Sequence, residues 1–199
     1  MHPADIDPQS GCRLPLPQRD ELDAGGQRIY DRLADTSGGT LRGLKGPGGI
    51  MLHSPALSQL SQPLNHYLRY EAGLDPRVRE IAILTTARAL DSRFEWAAHE
   101  PEGLREGVPP EIIDIIKYRR ATAGLDEADA VIIDLGREMF TARKVRPDTF
   151  ARALRQFGRR ALVDLVALMG NYAAAAALLT AFDMQLDPSQ KALLPVDAP

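Results

Sequence analysis

Cysteine is nearly absent from this sequence, since Cys12 is the single cysteine among 199 residues. One thiol can neither close a disulfide within the chain nor supply a thiolate metal site. The sequence also lacks the basic flank and apolar run of a signal peptide, and it lacks a continuous run of about 18 apolar residues. We therefore expect a cytoplasmic protein in a reducing compartment.

An excess of positive charge is missing as well. Lys and Arg number 24, Asp and Glu number 27, and the net charge is -3. Such a chain has no overall basic field that would attract nucleic acid or an anionic membrane, so neither is expected as a partner. Its hydrophobic content of 44% and charged content of 26% are those of an ordinary globular protein. The length predicts one domain with a sizeable core.

Strand signals are also missing, because no two consecutive segments show strand alternation or hairpin turns. Apolar positions recur at helical spacing instead, and the predicted fold class is all-α. Residues 1–20 carry four prolines and are predicted to form an extended arm that could wrap a neighbouring subunit. Residues 21–187 are predicted to form a single helical domain, and residues 188–199 a C-terminal tail.

Glycine is concentrated between Thr36 and Gly49, and this stretch is predicted to be a loop. A loop that cradles phosphate would need the spacing G-x-x-x-x-G-K-[ST] after a strand, and neither is present. Phosphate binding is therefore only a minor alternative for this segment.

Caps and helix breakers predict where the helices begin and end. The sharpest start is at Asp75, a good N-cap, followed by Pro76 at the first helical position. That helix is apolar nearly all round, which indicates a central, buried position. The run Ala173–Ala177 would let another helix approach closely, within the subunit or across a subunit contact. The predicted helices cover residues 21–34, 55–72, 76–90, 93–103, 110–118, 127–146, 148–157 and 159–186.

Glu80 lies one turn into the predicted central helix. An unpaired carboxylate is expensive to bury there, so Glu80 needs a partner. The positive end of the helix dipole stabilises it in part, and an ion pair with Arg77, Arg79 or Arg88 would be a purely structural explanation.

Glu95 and His99 are four residues apart on the next helix and therefore share one face. A tight turn near Ser92 would fold that helix back on the central one, so that Glu80 could face His99. A histidine that lies against a carboxylate commonly acts as a general acid or base near neutral pH. Glu80, His99 and Glu95 are therefore the candidate catalytic residues.

Each of these residues also has a structural interpretation. Ser92 and Glu95 fit the capping box S-x-x-E, which would account for Glu95 without any chemistry. His99 could be a core histidine satisfied by one hydrogen bond. Two carboxylates and a histidine could bind a divalent metal, but no further ligand is visible nearby. We therefore do not expect a metal ion at these residues.

Two adjacent segments carry a resemblance: R-E-I-A-I-L-T-T-A-R (79–88) and F-E-W-A-A-H-E-P (94–101). Together they resemble the signature region of the carboxymuconolactone decarboxylase family, a group that includes alkylhydroperoxidase D-like proteins. The resemblance implies an all-α subunit whose central helical hairpin carries the active site, and assembly into trimers or hexamers. Further matches lie at residues 46–55, 68–71 and 157–172, so that the resemblance covers about residues 40–185.

The resemblance also separates two branches of the family. In the peroxidase branch the hairpin carries a glutamate, a C-x-x-C pair and a following histidine. Glu80 and His99 match that pattern, but Ser92 and Glu95 stand where the cysteines would be, and neither can cycle through a disulfide. The resemblance therefore implies the decarboxylase branch, whose members act on a small carboxylated lactone without a cofactor in aromatic compound catabolism.

Two other functions stay open at this point. A peroxiredoxin-like antioxidant protein is disfavoured by the missing cysteine pair, and a non-catalytic ligand-binding oligomer would need Glu80 and His99 only as a buried pair. If the chain is an enzyme, an anion such as a substrate carboxylate would need cations, and aromatic or polar residues would line the pocket. The candidates for substrate binding are Arg79, Arg88, the pair Arg42 and Lys45, His53, Trp96 and Ser92.

Overall fold

The computed structural model describes residues 3–35, 43–187, 190 and 192–195. These ranges contain α-helices and no β-strand, which confirms the predicted all-α class. A 3-10 turn (Arg19–Glu21) precedes the first helix, and π-helical turns (Tyr67–Glu71 and Glu138–Ala142) extend two others. The helices are α1 (Ala24–Ala34), α2 (Pro47–Leu52), α3 (Pro55–His66), α4 (Pro76–Ala89), α5 (Arg93–Arg105), α6 (Pro110–Lys117), α7 (Glu127–Arg137) and α8 (Pro147–Ala181).

Helix α4 is the centre of the molecule and packs against α5, α6, α7 and α8. Its start is the predicted one, because the Asp75 carboxylate accepts hydrogen bonds from the backbone N–H groups of Arg77 and Val78. Side chains on every face of α4 are buried, and the run Ile81–Leu84 has no exposed surface. The prediction of a central buried helix is therefore confirmed.

A tight turn joins α4 to α5 and makes them a hairpin. Asp91 adopts a left-handed conformation with φ of 51°, and the Ser92 N–H donates to the Ala87 carbonyl oxygen at 2.8 Å. Ser92 is the N-cap of α5, but its side chain makes no capping hydrogen bond. The predicted capping box is therefore wrong, and Glu95 is left free to turn towards His99.

Helix α2 was not predicted, because the glycines of this segment indicated a loop. The structure shows a short helix at Pro47–Leu52 instead. Gly46 adopts φ of 102°, and a Cβ atom on Gly49 would lie 1.8 Å from the Leu44 carbonyl oxygen. Only glycine permits that backbone approach, so these glycines serve packing as well as turning. Residues 36–42 of the predicted loop lie outside the described residues, and Arg42 with them.

The N-terminal segment differs from the predicted extended arm. From Pro3 onward it forms turns, and Cys12 packs with Ile50 and Leu179 in a second, small core. Backbone hydrogen bonds run from Arg13 N–H to the Phe182 carbonyl oxygen at 2.9 Å, and from the residue 185 N–H to the residue 11 carbonyl at 2.8 Å. The segment therefore packs on its own chain, because its apolar residues find cover beside the end of α8.

Part of the predicted C-terminal tail is described as well, at residues 190 and 192–195. Leu194 is buried there and belongs to the main hydrophobic core.

Helix α8 is broken at Gly158, where φ is 72° and ψ is 172°, at the break that the sequence predicts. By length and composition alone α8 could cross a membrane, and it is the one helix among the described residues that could. However, 44% of its apolar window is buried inside the molecule, and Leu165, Leu168 and Met169 have no exposed surface. A role as a core helix accounts for this apolar character.

Candidate active site

Glu80 on α4 and His99 on α5 face each other inside the hairpin. The Glu80 Oε2 atom lies 2.7 Å from His99 Nδ1, and both side chains are buried. Because a carboxylate can only accept, His99 donates through Nδ1, and this fixes the ring so that Nε2 is available for proton exchange. The pairing that the sequence predicts is present in the structure.

Glu95 approaches the same imidazole from the other side. Its Oε2 atom lies 3.7 Å from His99 Nε2, which is the distance of an ion pair rather than of a hydrogen bond. Glu95 is buried and lies one helical turn before His99 on α5. The histidine therefore stands between two carboxyl groups, each beside a different ring nitrogen.

The two carboxyl groups have different electrostatic environments. Burial alone would raise the pKa of Glu80, but the hydrogen bond from His99 and the charges of His99, Arg69 and Arg79 outweigh it, so the pKa is lowered. Burial dominates at Glu95 and raises its pKa, although His99 and Arg69 oppose the shift. Glu80 is therefore a carboxylate at neutral pH, whereas Glu95 is biased towards the neutral acid. Such a division lets one site hold both a base and an acid.

Tyr172 on α8 packs its ring against His99, with the ring centroids 5.0 Å apart and the planes at 86°. Burial raises the pKa of Tyr172, although the charge of Arg69 opposes the shift. The phenol therefore stays protonated and can donate a hydrogen bond. Through this ring contact Tyr172 brings α8 into the site.

Arg69 reaches the site from the π-helical turn Tyr67–Glu71. It is 8% exposed, and its charge acts on Tyr172, Glu80 and Glu95. Its Nε atom is buried and finds no hydrogen-bond partner within the part of the chain that the structure describes. A buried guanidinium with an unused donor is well suited to an anionic ligand.

Sequence reasoning missed Arg69 and Tyr172 as site residues. Both lie in segments that carry the family resemblance, residues 68–71 and 157–172. That resemblance was the only available signal, because local periodicity does not show which residue of a distant helix faces the hairpin.

Arg79 and Ser92 have different positions relative to this site. Arg79 lies beside it, with Nε 3.3 Å from Glu80 Oε1, and its Nη1 donates to the Arg69 carbonyl oxygen at 2.7 Å. Its guanidinium is thus engaged by the protein itself. Ser92 is buried at the start of α5, seven residues before His99 and about 10 Å away along the helix axis.

Three other predicted substrate-binding residues make their contacts elsewhere. Arg88 donates through Nε to the Lys117 carbonyl oxygen at 2.7 Å, and it lies about 12 Å beyond Glu80 along α4. The fully buried Trp96 donates its indole N–H to Glu100 as part of the core. The exposed His53 ring lies 2.9 Å from the Pro15 carbonyl oxygen, so the structure does not bring it to His99.

Lys45 lies 3.9 Å from Asp187, an exposed ion pair. Among the described residues, no group of three or more His, Cys, Asp or Glu side chains is arranged to hold a metal ion.

The all-α bundle around the α4–α5 hairpin has an alkylhydroperoxidase D-like fold. The chain is similar to a solved alkylhydroperoxidase AhpD core, an uncharacterized peroxidase-related protein from Ralstonia eutropha JMP134. The TM-score is 0.70 at 16% identity, over 94% of this chain and 95% of that one. At this identity the similarity shows the fold alone.

Residues 55–133 match the model of the carboxymuconolactone decarboxylase family. This segment contains Glu80, Glu95 and His99, and the resemblance predicted from the signature residues is confirmed for it. Tyr172 lies beyond the matched segment. None of the curated proteins matches the sequence.

Proposed function

We propose that the protein is a lyase-type enzyme that works by acid–base chemistry, without a cofactor, on a small carboxylated lactone or related organic acid. The observation that carries this proposal is the 2.7 Å hydrogen bond between Glu80 and His99, with Glu95 beside the second ring nitrogen. The family match supports a reaction of the decarboxylase type.

Decarboxylation needs a binding group for the substrate carboxylate and a proton donor for the product. The bond to the carboxylate carbon breaks, its electron pair stays on the remaining carbon framework, and carbon dioxide leaves. The resulting dienolate then takes up one proton at carbon, so that the reaction consumes one proton overall. Glu95 is biased towards the neutral acid by burial and is the proposed donor, and the solvent restores its proton later.

Glu80 and His99 would act as one unit in this reaction. Glu80 accepts the Nδ1 hydrogen bond and holds the imidazole so that Nε2 points towards Glu95. His99 can then exchange a proton with Glu95 or with the substrate, and the Glu80 carboxylate balances the charge that the ring gains.

Arg69 and the Tyr172 hydroxyl would stabilise the negative charge of the substrate. The unused Nε of Arg69 can bind the substrate carboxylate, and a protonated phenol can donate to an enolate oxygen. Burial strengthens these interactions because little water competes for the donors.

The peroxidase alternative finds less support in the residues of this chain. Cys12 is 2% exposed, its thiol points at the Leu14 carbonyl oxygen at 3.4 Å, and it belongs to the second core. Ser92 and Glu95 occupy the two places where a dithiol would stand on the hairpin. A dithiol cycle at the Glu80–His99 site would need two sulfur atoms that these residues do not provide.

We also infer that the protein works as a homo-oligomer, in the cytoplasm. Exposed apolar side chains follow α3 and the second half of α8, and we call this surface the α3–α8 face; it comprises Leu57, Leu60, Leu64, Val163 and Val166. The two helices are joined by a 3.0 Å hydrogen bond from Asn171 to Asn65. Leu60 is 76% exposed and Val163 is 67% exposed, which favours a face covered by another copy.

The proposed activity can be tested by incubating the purified protein with a carboxylated muconolactone in deuterium oxide, with chelator and without added cofactor. Carbon dioxide should be released, and the product should carry one deuterium at a carbon of the former dienolate. A protein that consumes neither carboxylated lactones nor muconate-type acids would contradict the proposal. Peroxide reduction coupled to a dithiol would favour the antioxidant alternative instead.

A further inference from the structure

The residues of the candidate active site have very little exposed surface. Glu80, Glu95, His99, Tyr172 and Arg69 are all buried, and Arg69 has the largest exposed fraction of the five, 8%. A ligand that bonds to the unpaired Nε atom of Arg69 must therefore pass a side chain that covers this residue. The contacts of Arg69 show which side chain this is.

The ring of Tyr70 lies against two buried guanidinium groups. Its centroid is 5.2 Å from Arg69 Cζ and 5.8 Å from Arg79 Cζ, both within the range of cation–π attraction. A further ring contact, with His66 at 5.2 Å between centroids, is to an exposed side chain. Tyr70 itself is 62% exposed, whereas Arg69 and Arg79 are buried. The Tyr70 ring therefore lies at the boundary between these guanidinium groups and the solvent.

A cation–π contact holds a guanidinium group without occupying its N–H donors. The attraction comes from the π electrons of the ring, so no hydrogen bond is needed. Arg79 uses its donors within the protein, with Nε 3.3 Å from Glu80 Oε1 and Nη1 2.7 Å from the Arg69 carbonyl oxygen. Arg69 differs, because its Nε has no hydrogen-bond partner in the described part of the chain. Tyr70 thus holds Arg69 in position and leaves this donor to an anion.

The backbone beneath Tyr70 is anchored. Tyr70 belongs to the π-helical turn Tyr67–Glu71, and turns of this kind are frequent at functional sites. Leu68 is buried in the main core, and the Tyr67 hydroxyl donates to Asp164 Oδ1 on α8 at 3.3 Å. Exposed side chains change rotamer far faster than a helical segment opens. Uncovering Arg69 therefore requires the rotation of one exposed side chain and leaves the turn in place.

We propose that Tyr70 is the gate of the active site: its ring covers the Arg69 guanidinium and rotates outward to admit a carboxylate to Nε. The role of that carboxylate as the substrate's rests on the proposed function, but the covering of Arg69 is independent of turnover. The ring does the covering, since both guanidinium contacts are with the ring. Tyr70→Phe should therefore keep the gate, and Tyr70→Ala should remove it.

Modification of the full chain by phenylglyoxal, with mass spectrometry of the Arg69 peptide, tests the gate. The reagent attacks guanidinium groups that it can reach, so the rate of modification measures access. Arg69 should react about tenfold faster or more in Tyr70→Ala than in the parent, because a gate that is open about a tenth of the time or less lowers the rate by that fraction. Tyr70→Phe should react at the rate of the parent.

Arg88 is the control for a general loosening of the fold, because it is also buried and lies at the other end of α4. It should react at the same rate in all three proteins. Muconate, a small dicarboxylate, should slow the modification of Arg69 in each of them, because one carboxylate occupies the Nε donor. Melting temperatures confirm that all three proteins are folded at the temperature of the experiment.

The outcomes separate the gate from the proposed function. Absence of carbon dioxide release in the activity test would contradict the proposed function alone, because modification rates do not depend on turnover. The gate is overturned if Arg69 reacts equally fast in the parent and in Tyr70→Ala, or if Arg88 accelerates together with it. It is also overturned if Tyr70→Phe behaves like Tyr70→Ala, or if muconate does not slow the modification of Arg69.

Discussion

Glu80 and Glu95 flank one imidazole, with carboxylate oxygens 2.7 Å from His99 Nδ1 and 3.7 Å from His99 Nε2. The pKa of Glu80 is lowered and the pKa of Glu95 is raised, although both residues are buried. The hydrogen bond from His99 makes the difference, because Glu80 receives it and Glu95 does not. Two residues of one type thereby acquire different protonation states, which is what separate acid and base roles require.

The stability of Glu95→Gln should depend on pH. Because the pKa of Glu95 is raised above its ordinary value of 4.5, the contribution of its protonated form is complete below that value and is lost as pH rises through the folded-state pKa. Glutamine stays neutral throughout. The melting temperature of Glu95→Gln should therefore match the parent near pH 4 and increasingly exceed it towards about pH 8.

Glu80→Gln is the control for this experiment and should show the opposite trend. The lowered pKa of Glu80 stabilises the fold above its ordinary value of 4.5, and that contribution is lost as pH falls through the folded-state pKa. The variant should lose most stability at neutral pH and least in acid. If the melting temperatures of the parent and of Glu95→Gln instead change with pH in parallel, burial does not control the pKa of Glu95.

Arg69→Met tests the proposed anion-binding role of Arg69. A charge-assisted hydrogen bond contributes about 1.5–3 kcal/mol, so kcat/KM should fall by roughly ten- to a hundredfold. Most of the loss should be in KM, since the substrate carboxylate is bound before the reaction begins. Steady-state kinetics should show this split, with Arg69→Lys recovering part of the affinity. An unchanged KM in Arg69→Met would remove Arg69 from substrate binding.

Cys12→Ser should have no effect on the proposed reaction, and no dithiol-dependent peroxide reduction is expected from either protein. The thiol is buried in the second core, where its Sγ atom donates to the Leu14 carbonyl oxygen. A coupled assay with peroxide and a dithiol reductant measures this directly. Peroxide reduction that disappears in Cys12→Ser would show that the single thiol is the reactive group.

Much of the hairpin could be predicted from the sequence, because its signals are local. Asp75 and Pro76 specify the start of α4, and the four-residue spacing of Glu95 and His99 puts them on one face of α5. The position of Arg88 could not be predicted in this way, because it is determined by contacts that are not local in sequence. Its placement depends on helix rotation and on the Lys117 carbonyl oxygen, which comes from α6 and cannot be seen in a local pattern.

Contacts between distant segments account for what the sequence did not show. Tyr172 and Arg69 reach His99 and Glu80 from elements that become neighbours only when the bundle closes. Helix α2 was hidden because glycine usually marks a loop, whereas Gly49 is needed for the close approach of the Leu44 backbone. Glu95 has the spacing of a capping box and does not form one, since burial beside His99 gives it a different partner.

The α3–α8 face should mediate self-association into an oligomer larger than a dimer. Leu60→Glu and Val163→Glu each place a charge on this exposed apolar face and should reduce the assembly size, because covering an unpaired charge is costly. Tyr118→Glu is the matched control, since Tyr118 is an exposed apolar residue at the end of α6. Light scattering at micromolar concentration measures each mass. A monomeric parent protein would contradict this prediction.

The central claim is that Glu80 and His99 are one catalytic unit. It is tested by measuring turnover and melting temperature on the same samples of the parent, His99→Gln, Glu80→Gln and the double variant. Each single substitution should reduce turnover per folded molecule by about a hundredfold or more, and the double variant should lose little beyond that. A purely structural pair would lower stability by about 1–3 kcal/mol per substitution and leave the folded molecules active. Preserved turnover in folded His99→Gln would contradict the account.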